Sequence, residues 1–271
     1  MEWFEAVILG LVQGLTEFLP VSSSGHLEIG KVLLGVDIPK DTMTMFSVMV
    51  HAATVLSTIL VFRKQIWGLL KGFFRFQYND QTDYLFKIAV SCIPIMIVGL
   101  FFKDDVEAMF GSIKVVGFAL LLTSALLFFS DFASRPGRKV RAQVSEARNG
   151  ISYWQAFVVG LSQALAVIPG LSRSGTTIST GLICGVRRDV MAQFSFLMVL
   201  IPILGESFLD LVGGEFSASS VGALPLVLGF VSAFISGLFA CKVMIALVKK
   251  AKLSWFAIYC LIAAAAIFIF A

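Results

Sequence analysis

The sequence predicts an all-α polytopic membrane protein with an inverted-topology repeat, each half a re-entrant helical hairpin followed by three transmembrane helices. Three observations support this: an apolar composition, six long apolar stretches, and two interrupted apolar stretches that resemble each other. Of 271 residues, 58% are hydrophobic and 14% are charged, and the mean hydropathy is +0.92. Soluble domains contain about 45–50% apolar and about 25% charged residues. The composition therefore excludes a soluble enzyme, a disordered chain and a nucleic-acid binder.

Six apolar stretches are long enough to cross a bilayer, because a helix needs about 20 residues to span roughly 30 Å of hydrocarbon. They are 43–62, 84–102, 113–131, 191–211, 222–246 and 254–270. Three connections are rich in lysine and arginine: 63–83, 132–152 and 247–253. Two others are not: 103–112 and 212–221. Basic loops stay in the cytoplasm, where they also contact lipid headgroups, so the six spans alternate in direction without conflict.

Two further apolar stretches, 3–36 and 153–186, are interrupted by glycine, proline and serine. Arg187 and Arg188 are two spans away from the basic connection at 247–253, so both ends of the second stretch lie in the cytoplasm. That stretch is too short for two full crossings, which predicts a re-entrant hairpin. Irregular backbone at membrane depth is tolerated only where protein or a water-filled cavity surrounds it. The hairpin tip is therefore a candidate functional site.

A shift of 150 residues aligns the two interrupted stretches. Residues 10–35 read GLVQGLTEFLPVSSSGHLEIGKVLLG and residues 160–185 read GLSQALAVIPGLSRSGTTISTGLICG, with eight of 26 positions identical. With the span directions above, the two halves become inverted copies within one membrane domain, 1–271. The predicted parts are repeat 1, a cytoplasmic linker and repeat 2, at about 1–131, 132–152 and 153–271. Inverted repeats place their site where the two helix breaks meet.

The two breaks carry side chains that suit phosphoryl transfer. The first break has Gln13, Glu17, Ser22, Ser23, Ser24, Gly25 and His26. The second has Ser172, Arg173, Ser174, Gly175, Thr176 and Thr177. The Arg173 guanidinium can bind phosphate through two donors, and backbone amides near Gly25 and Gly175 can bind an anion. Because an ionised Glu17 repels phosphate, a divalent cation would have to lie between them. Ser23 can attack phosphorus if His26 or Glu17 accepts its proton.

Several polar residues of the membrane stretches also fit a purely structural role. Serine and glycine in membrane helices often serve close packing, which applies to Ser22, Ser24 and Ser172. His51 lies within an apolar span, where we favour a packing or secondary pocket role. Glu28 and Glu206 either line a cavity or pair near an interface.

The inverted repeat also keeps a transporter or lipid-phosphate flippase as the alternative function. Transport needs only binding groups and two access states, whereas hydrolysis needs a nucleophile and a base. The abundance of ionisable and hydroxyl groups at the predicted tips favours hydrolysis.

Two motifs resemble those of a known family. QGLTEFLPVSSSGH (13–26) and PGLSRSGTT (169–177) closely resemble the two signature motifs of undecaprenyl-diphosphate phosphatases of the bacitracin-resistance type. The resemblance in length, spans and paired motifs covers essentially the whole chain. The first motif of the family opens with Glu or Gln, and this chain has Gln13, which leaves Glu17 as its one sure acid.

The resemblance implies hydrolysis of the polyprenyl lipid undecaprenyl diphosphate to the monophosphate and inorganic phosphate. This reaction recycles the lipid carrier for peptidoglycan synthesis and confers resistance to bacitracin, which competes for the lipid. The resemblance further implies a bacterial inner-membrane enzyme whose site opens to the periplasmic face, and it leaves a homodimer possible.

Site residues also follow from the resemblance. It implies a divalent cation, Mg²⁺ or Ca²⁺, at Glu17 with Gln13 beside it. Carried over by motif position, the essential set is Glu17, Ser23, His26 and Arg173. The phosphate-pocket candidates are Ser22, Ser172, Ser174 and Thr177. Either Ser23 or His26 could be the nucleophile; we favour Ser23, because the imidazole is then free to act as base and later as acid.

Overall fold

The computed structural model describes residues 1–36, 40–110, 112–133, 147–205, 222–250 and 252–270. Within these ranges the regular structure is helical, with no strand. The helices of the first half are α1 (Trp3–Thr16), α2 (Ser23–Leu34), α3 (Lys40–Val61), α4 (Arg63–Phe73), α5 (Asp80–Phe101), α6 (Lys103–Met109) and α7 (Ile113–Ala133). Those of the second half are α8 (Tyr153–Leu165), α9 (Arg173–Ile183), α10 (Arg188–Met198), α11 (Ala223–Lys250) and α12 (Ser254–Phe270).

The predicted spans coincide with the long apolar helices. Five helical stretches are long and apolar enough to cross a membrane: Met43–Val61, Asp80–Phe101, Ile113–Ala133, Arg188–Gly205 and Ala223–Val248. The sixth predicted span is α12, an apolar helix of 17 residues. The chain is therefore a multi-pass helical membrane protein, as predicted. The connection 212–221 and most of the basic linker 132–152 lie outside the described residues.

Two helices occupy stretches that we predicted to be connections. The helix α4 lies in the basic stretch 63–83, and the short helix α6 follows α5 directly. Apolar side chains such as Ile66 and Leu69 recur in α4 at helical spacing among its lysines and arginines. A window chosen for net apolarity misses such an amphipathic helix, because its charged face cancels its apolar face.

Each interrupted stretch forms a pair of short helices, α1 with α2 and α8 with α9. Their lengths are 14, 12, 13 and 11 residues. At 1.5 Å per residue such helices are about 17–21 Å long, which is shorter than the roughly 30 Å of a hydrocarbon core. The lengths agree with the predicted re-entrant hairpins and leave the two breaks inside the protein.

Each hairpin packs its first helix against a long helix of the other half, α1 on α11 and α8 on α5. Both contacts are so close that a side chain at the crossing glycine would collide with backbone. A Cβ atom on Gly10 would lie 2.4 Å from the Gly229 carbonyl oxygen, and one on Gly160 would lie 2.3 Å from the Ser91 carbonyl oxygen. Gly10 and Gly160 are equivalent under the 150-residue shift. The same close packing therefore holds both hairpins.

A buried ion pair ties the start of α8 to the start of α5. The Lys87 ammonium lies 2.6 Å from the Asp83 carboxylate, and each side chain is 3% exposed. Lys87 also donates to the Arg148 carbonyl, while Asn149 and Tyr153 donate to Asp83. Because each charge has several partners, the pair does not leave an uncompensated charge in the interior.

Candidate active site

Both hairpins turn at a serine that caps the following helix. The Ser22 hydroxyl accepts a hydrogen bond from the Gly25 amide at 3.2 Å, and the Ser172 hydroxyl accepts one from the Gly175 amide at 3.1 Å. Such N-cap bonds satisfy a helix donor that would otherwise lack a partner. The sequence predicts that backbone amides near Gly25 and Gly175 bind an anion. The Gly25 and Gly175 amides themselves already donate to the capping serines, so phosphate could bind these two only by displacing the cap bonds.

The caps bring two different side chains to the same position at the tips. Helix α2 begins at Ser23 and helix α9 begins at Arg173, the residues that follow the two capping serines. The Ser22 backbone has φ +72° and ψ 101°, whereas Ser172 has φ −69° and ψ 116°. Serine rarely adopts positive φ, so the first tip holds a strained residue next to Ser23.

The two tips meet through reciprocal hydrogen bonds. The Ser174 hydroxyl donates to the Leu19 carbonyl oxygen at 3.1 Å, and the Gly170 amide donates to the Ser24 hydroxyl at 3.4 Å. Each tip thus uses the serine two positions after its cap to contact the turn of the other hairpin. The predicted site requires the two tips to meet, and in the structure they do.

The Glu17 carboxylate is the centre of the polar groups at the tips. The Ser23 hydroxyl donates to its Oε2 at 2.5 Å, and the Gln13 amide nitrogen donates to the same oxygen at 2.9 Å. The Arg173 guanidinium approaches from the other tip, with Nη2 3.8 Å from Oε1. The Glu17 side chain is only 10% exposed. A buried carboxylate bonded to a hydroxyl can accept its proton, and a guanidinium beside it can bind an anion.

A cavity opens beside Glu17 and Arg173. Its other walls include the polar side chains Thr54 and Thr58 of α3 and, from the α10 side, Ser195 and apolar residues such as Leu200. The cavity wall therefore combines charged, hydroxyl and apolar side chains. Its volume is about 20 Å³, which is room for about one water molecule beside the charged groups.

His26 lies between its own turn and α12. Its Nδ1 is 2.7 Å from the Ser22 carbonyl oxygen, which can only accept, so Nδ1 carries the hydrogen. Its Nε2 is 2.7 Å from the Tyr259 hydroxyl, and the two rings stack with centroids 5.6 Å apart. Both ring nitrogens are thus bonded away from Ser23. Of the two proton acceptors that the sequence left open, Glu17 is the one hydrogen-bonded to Ser23.

The threonines of the second tip have different surroundings. The Thr177 hydroxyl donates to the Arg173 carbonyl oxygen at 2.9 Å and bonds to the Ser195 hydroxyl at 2.7 Å. It therefore supports the first turn of α9. The Thr176 hydroxyl is buried and has no hydrogen-bond partner within the described part of the chain. It is the free hydroxyl of this tip.

Two residues outside the tips approach the acid and the imidazole of the site and were not predicted to do so. His51 of α3 has its Nε2 3.7 Å from Glu17 Oε2. Tyr259 of α12 holds His26 through its hydroxyl. Neither has a local signal, because a single polar residue in an apolar helix looks like a packing position. Of the two acids left open, Glu28 pairs with Lys31 at 3.1 Å, and Glu206 lies outside the described residues.

The site offers a divalent cation few carboxylate ligands. Among the described residues, no three His, Cys, Asp or Glu side chains form a group that could hold a metal ion. Glu17 has a second oxygen donor close by in Gln13, whose Oε1 is buried and accepts no hydrogen bond within the described ranges. An orphaned amide oxygen beside a carboxylate suits a hard divalent cation. The predicted pair of residues therefore fits such a cation.

The fold and the site define a polytopic helical membrane protein with a carboxylate, a hydroxyl and a guanidinium where two broken helices meet. Residues 6–266 match the sequence family described as bacitracin resistance protein BacA. The chain belongs to this family.

Curated relatives agree over nearly the full length. A Bacteroides fragilis protein named undecaprenyl-diphosphatase is 53% identical over 266 residues, which cover 97% of this chain and 96% of the relative. Proteins with the same name from Bacteroides thetaiotaomicron and Christiangramia forsetii are 52% and 49% identical over 273 residues. These alignments cover 99% and 100% of this chain, and 99% of each relative.

Proposed function

We propose that this chain hydrolyses undecaprenyl diphosphate to undecaprenyl phosphate and inorganic phosphate. The shared family and the name of its relatives supply the reaction. The assignment to particular residues rests on the 2.5 Å hydrogen bond from the Ser23 hydroxyl to Glu17 Oε2. The Arg173 guanidinium lies near the other carboxylate oxygen, Oε1. This is the arrangement of an activated nucleophile beside an anion-binding group.

In the proposed first step, the Ser23 oxygen attacks the terminal phosphorus of the lipid diphosphate. The Ser23 proton passes to the Glu17 carboxylate, and the bond between the terminal phosphorus and the bridging oxygen breaks. The lipid monophosphate leaves with the bridging oxygen, and the phosphoryl group stays on Ser23. Water then attacks the phosphoserine, inorganic phosphate is released, and the proton on Glu17 returns to Ser23.

The remaining site residues bind and orient in this proposal. Arg173 neutralises charge on the transferred phosphoryl oxygens, an interaction that strengthens in the transition state. Ser174 and Ser24 hold the two tips together. We assign the Thr176 hydroxyl, which is buried without a partner among the described residues, to the phosphate pocket. We assign His26 to moving a proton during the hydrolytic step, for which its Nε2 must exchange the Tyr259 hydroxyl for water.

We also propose a divalent cation, Mg²⁺ or Ca²⁺, as the cofactor. Glu17 and Gln13 would hold it, since Gln13 Oε1 is buried without a hydrogen-bond donor among the described residues. The cation would supply charge neutralisation between the carboxylate and the phosphate oxygens. The carboxylate and the guanidinium alone leave a diphosphate headgroup incompletely neutralised.

The proposal extends to topology and location. We infer an inverted repeat in a bacterial inner membrane, with the site opening to the periplasmic face. The equivalent caps at Ser22 and Ser172 and the equivalent glycine crossings at Gly10 and Gly160 support the repeat. In that setting the reaction recycles the carrier for peptidoglycan synthesis, and bacitracin competes for the same lipid. A homodimer belongs to this proposal as an expectation from the family.

Phosphate release by the detergent-purified chain tests the reaction. With undecaprenyl or farnesyl diphosphate, we expect release that EDTA abolishes and that Mg²⁺ or Ca²⁺ restores. Farnesyl monophosphate is the control substrate, because only the diphosphate offers a phosphoanhydride bond. Folded wild-type protein that releases no phosphate with added cation would refute the proposal and return weight to the transporter alternative.

Cysteine labelling from the two sides of the membrane tests the inverted repeat. In a chain whose four cysteines are replaced, Glu2→Cys reports the start of α1. Asp80→Cys reports the start of α8, because Asp80 is 65% exposed and bonds to Arg148 just before that helix. We expect impermeant maleimide to reach the two sites from opposite sides. Labelling from the same side would contradict the repeat.

A further inference from the structure

His51 directs its Nε2 towards Glu17, because a backbone carbonyl binds its other ring nitrogen, Nδ1. Its Nδ1 lies 2.8 Å from the Ser47 carbonyl oxygen and 3.3 Å from the Ser47 hydroxyl. A carbonyl oxygen only accepts, so Nδ1 carries the hydrogen, and Nε2 of the neutral ring keeps a free lone pair. Histidines that bind metals are commonly oriented by such a bond from the other nitrogen to a backbone carbonyl.

That lone pair lies near Glu17 without a hydrogen bond between them. Nε2 and Oε2 are 3.7 Å apart, and the two side chains are 17% and 10% exposed. The distance is too long for a hydrogen bond. It does match two donor atoms that share one cation, which stand about 3–4 Å apart when each bond is about 2.1–2.4 Å. Gln13, which bonds to the same carboxylate oxygen, adds a buried oxygen without a donor.

The other histidine of the chain is engaged elsewhere. The sequence contains two histidines, and both nitrogens of His26 are bonded, to Ser22 and to Tyr259. His51 is therefore the histidine whose nitrogen is available beside Glu17. It lies in α3, whereas Glu17 and Gln13 belong to the first hairpin.

We propose that His51 is a ligand of the divalent cation, bound through Nε2 together with Glu17 and Gln13. The inference rests on the proposed function, since it assigns a third ligand to the cation proposed there. One imidazole among oxygen ligands favours ions such as Mn²⁺ and Co²⁺ over Ca²⁺ compared with a site made only of oxygens. The missing second carboxylate is thereby replaced by a neutral nitrogen donor from a membrane helix.

Pulsed electron paramagnetic resonance of bound Mn²⁺ tests the assignment directly. The full chain, purified in detergent without a polyhistidine tag, is loaded with Mn²⁺ alone. Nitrogen-14 modulation of the Mn²⁺ signal reports a directly coordinated imidazole. We expect it in the wild type, lost in His51→Gln and retained in His26→Gln, the matched histidine control. We also expect His51→Gln to weaken Mn²⁺ affinity about 10- to 100-fold, and to weaken Ca²⁺ affinity less.

Three outcomes would overturn the assignment. Wild-type protein that binds Mn²⁺ without nitrogen modulation would exclude a histidine ligand. Modulation that survives in His51→Gln but disappears in His26→Gln would give the role to His26. Modulation that survives in both variants would come from backbone or amide nitrogen. In each case, wild-type phosphate release from farnesyl diphosphate on the same preparation shows whether the proposed function stands independently.

A second variant keeps the assignment testable if the first variant does not fold. If His51→Gln does not elute as a monodisperse protein, His51→Ala is loaded with Mn²⁺ with and without free ¹⁵N-imidazole. We expect the ¹⁵N label to appear in the modulation only in this variant, because the added ring fills the vacated position. Wild-type protein under the same conditions should retain its nitrogen-14 signal. Absence of the label from His51→Ala would contradict coordination at this position.

Discussion

The two hairpin tips share one framework and differ in their chemistry. In both, a serine caps the second helix, a glycine allows a close crossing with the other half, and a serine bonds to the opposite tip. At equivalent positions the first tip has Glu17, Ser23 and His26, whereas the second has Val167, Arg173 and Thr176. The acid, the proposed hydroxyl nucleophile and the imidazole come from one tip, and the second contributes the guanidinium.

The glutamines show the difference most clearly. Gln13 and Gln163 are equivalent and both fully buried. Gln13 donates to Glu17, while neither polar atom of Gln163 has a hydrogen-bond partner among the described residues. Because Val167 stands in place of an acid, Gln163 lacks the partner that Gln13 has in Glu17. The two tips therefore share a framework, and the proposed chemistry depends on the few positions at which they differ.

The largest expected effect is that of Ser23→Ala, which removes the proposed nucleophile from the first tip. We expect phosphate release to fall about 10⁴-fold or more, as with nucleophile deletions in other hydrolases. Steady-state release from farnesyl diphosphate measures it. The neighbouring Ser24→Ala loses a 3.4 Å contact to the other tip and a 3.3 Å contact to the Ser22 hydroxyl, and phosphate release should fall less than about tenfold. Comparable losses in both variants would move the nucleophile assignment to His26.

The next effect concerns the acid that only the first tip carries. Glu17→Gln keeps an oxygen for the Ser23 hydroxyl but removes its basicity, so kcat should fall about 10²- to 10⁴-fold. The matched control is Val167→Gln at the equivalent, partly exposed position of the second tip, which we expect to stay within about threefold. If the control lost as much activity as Glu17→Gln, the division of chemistry between the tips would be wrong.

The sequence predicted the framework better than the individual contacts. Hydropathy located the long helices, and glycine, proline and serine located both helix breaks, because membrane burial imposes strong rules on backbone hydrogen bonding. The motifs placed Glu17, Ser23 and Arg173 together. His51 and Tyr259 escaped prediction because they reach the tips from α3 and α12, and only the packing of those helices shows which way their rings face. Helix α4 escaped because its charges hid its apolar face.

A smaller effect should be shared by the two tips. In Gly10→Ala and Gly160→Ala the new methyl group would meet a backbone carbonyl oxygen at 2.4 Å and 2.3 Å. Backbone cannot rotate away as a side chain can, so we expect each variant to lose about 1–3 kcal/mol of stability. Thermal unfolding in detergent measures the loss. Gly68→Ala, with no heavy atom within 4 Å of the new Cβ, should be neutral or slightly stabilised. A large loss of stability in only one of the two variants would show that the two glycine crossings are not equivalent.

The smallest effect separates the capping serines, which the 150-residue shift makes equivalent. Glycine at an N-cap costs only a few tenths of a kcal/mol relative to serine. At Ser22, with φ +72°, glycine also removes the strain of a positive φ, so Ser22→Gly should match or exceed the wild-type melting temperature. At Ser172, with φ −69°, no strain is relieved and the unfolded chain gains freedom, so Ser172→Gly should melt lower. If Ser22→Gly melted as far below the wild type as Ser172→Gly, the backbone at Ser22 would not be strained. The two tips would then differ only in their side chains.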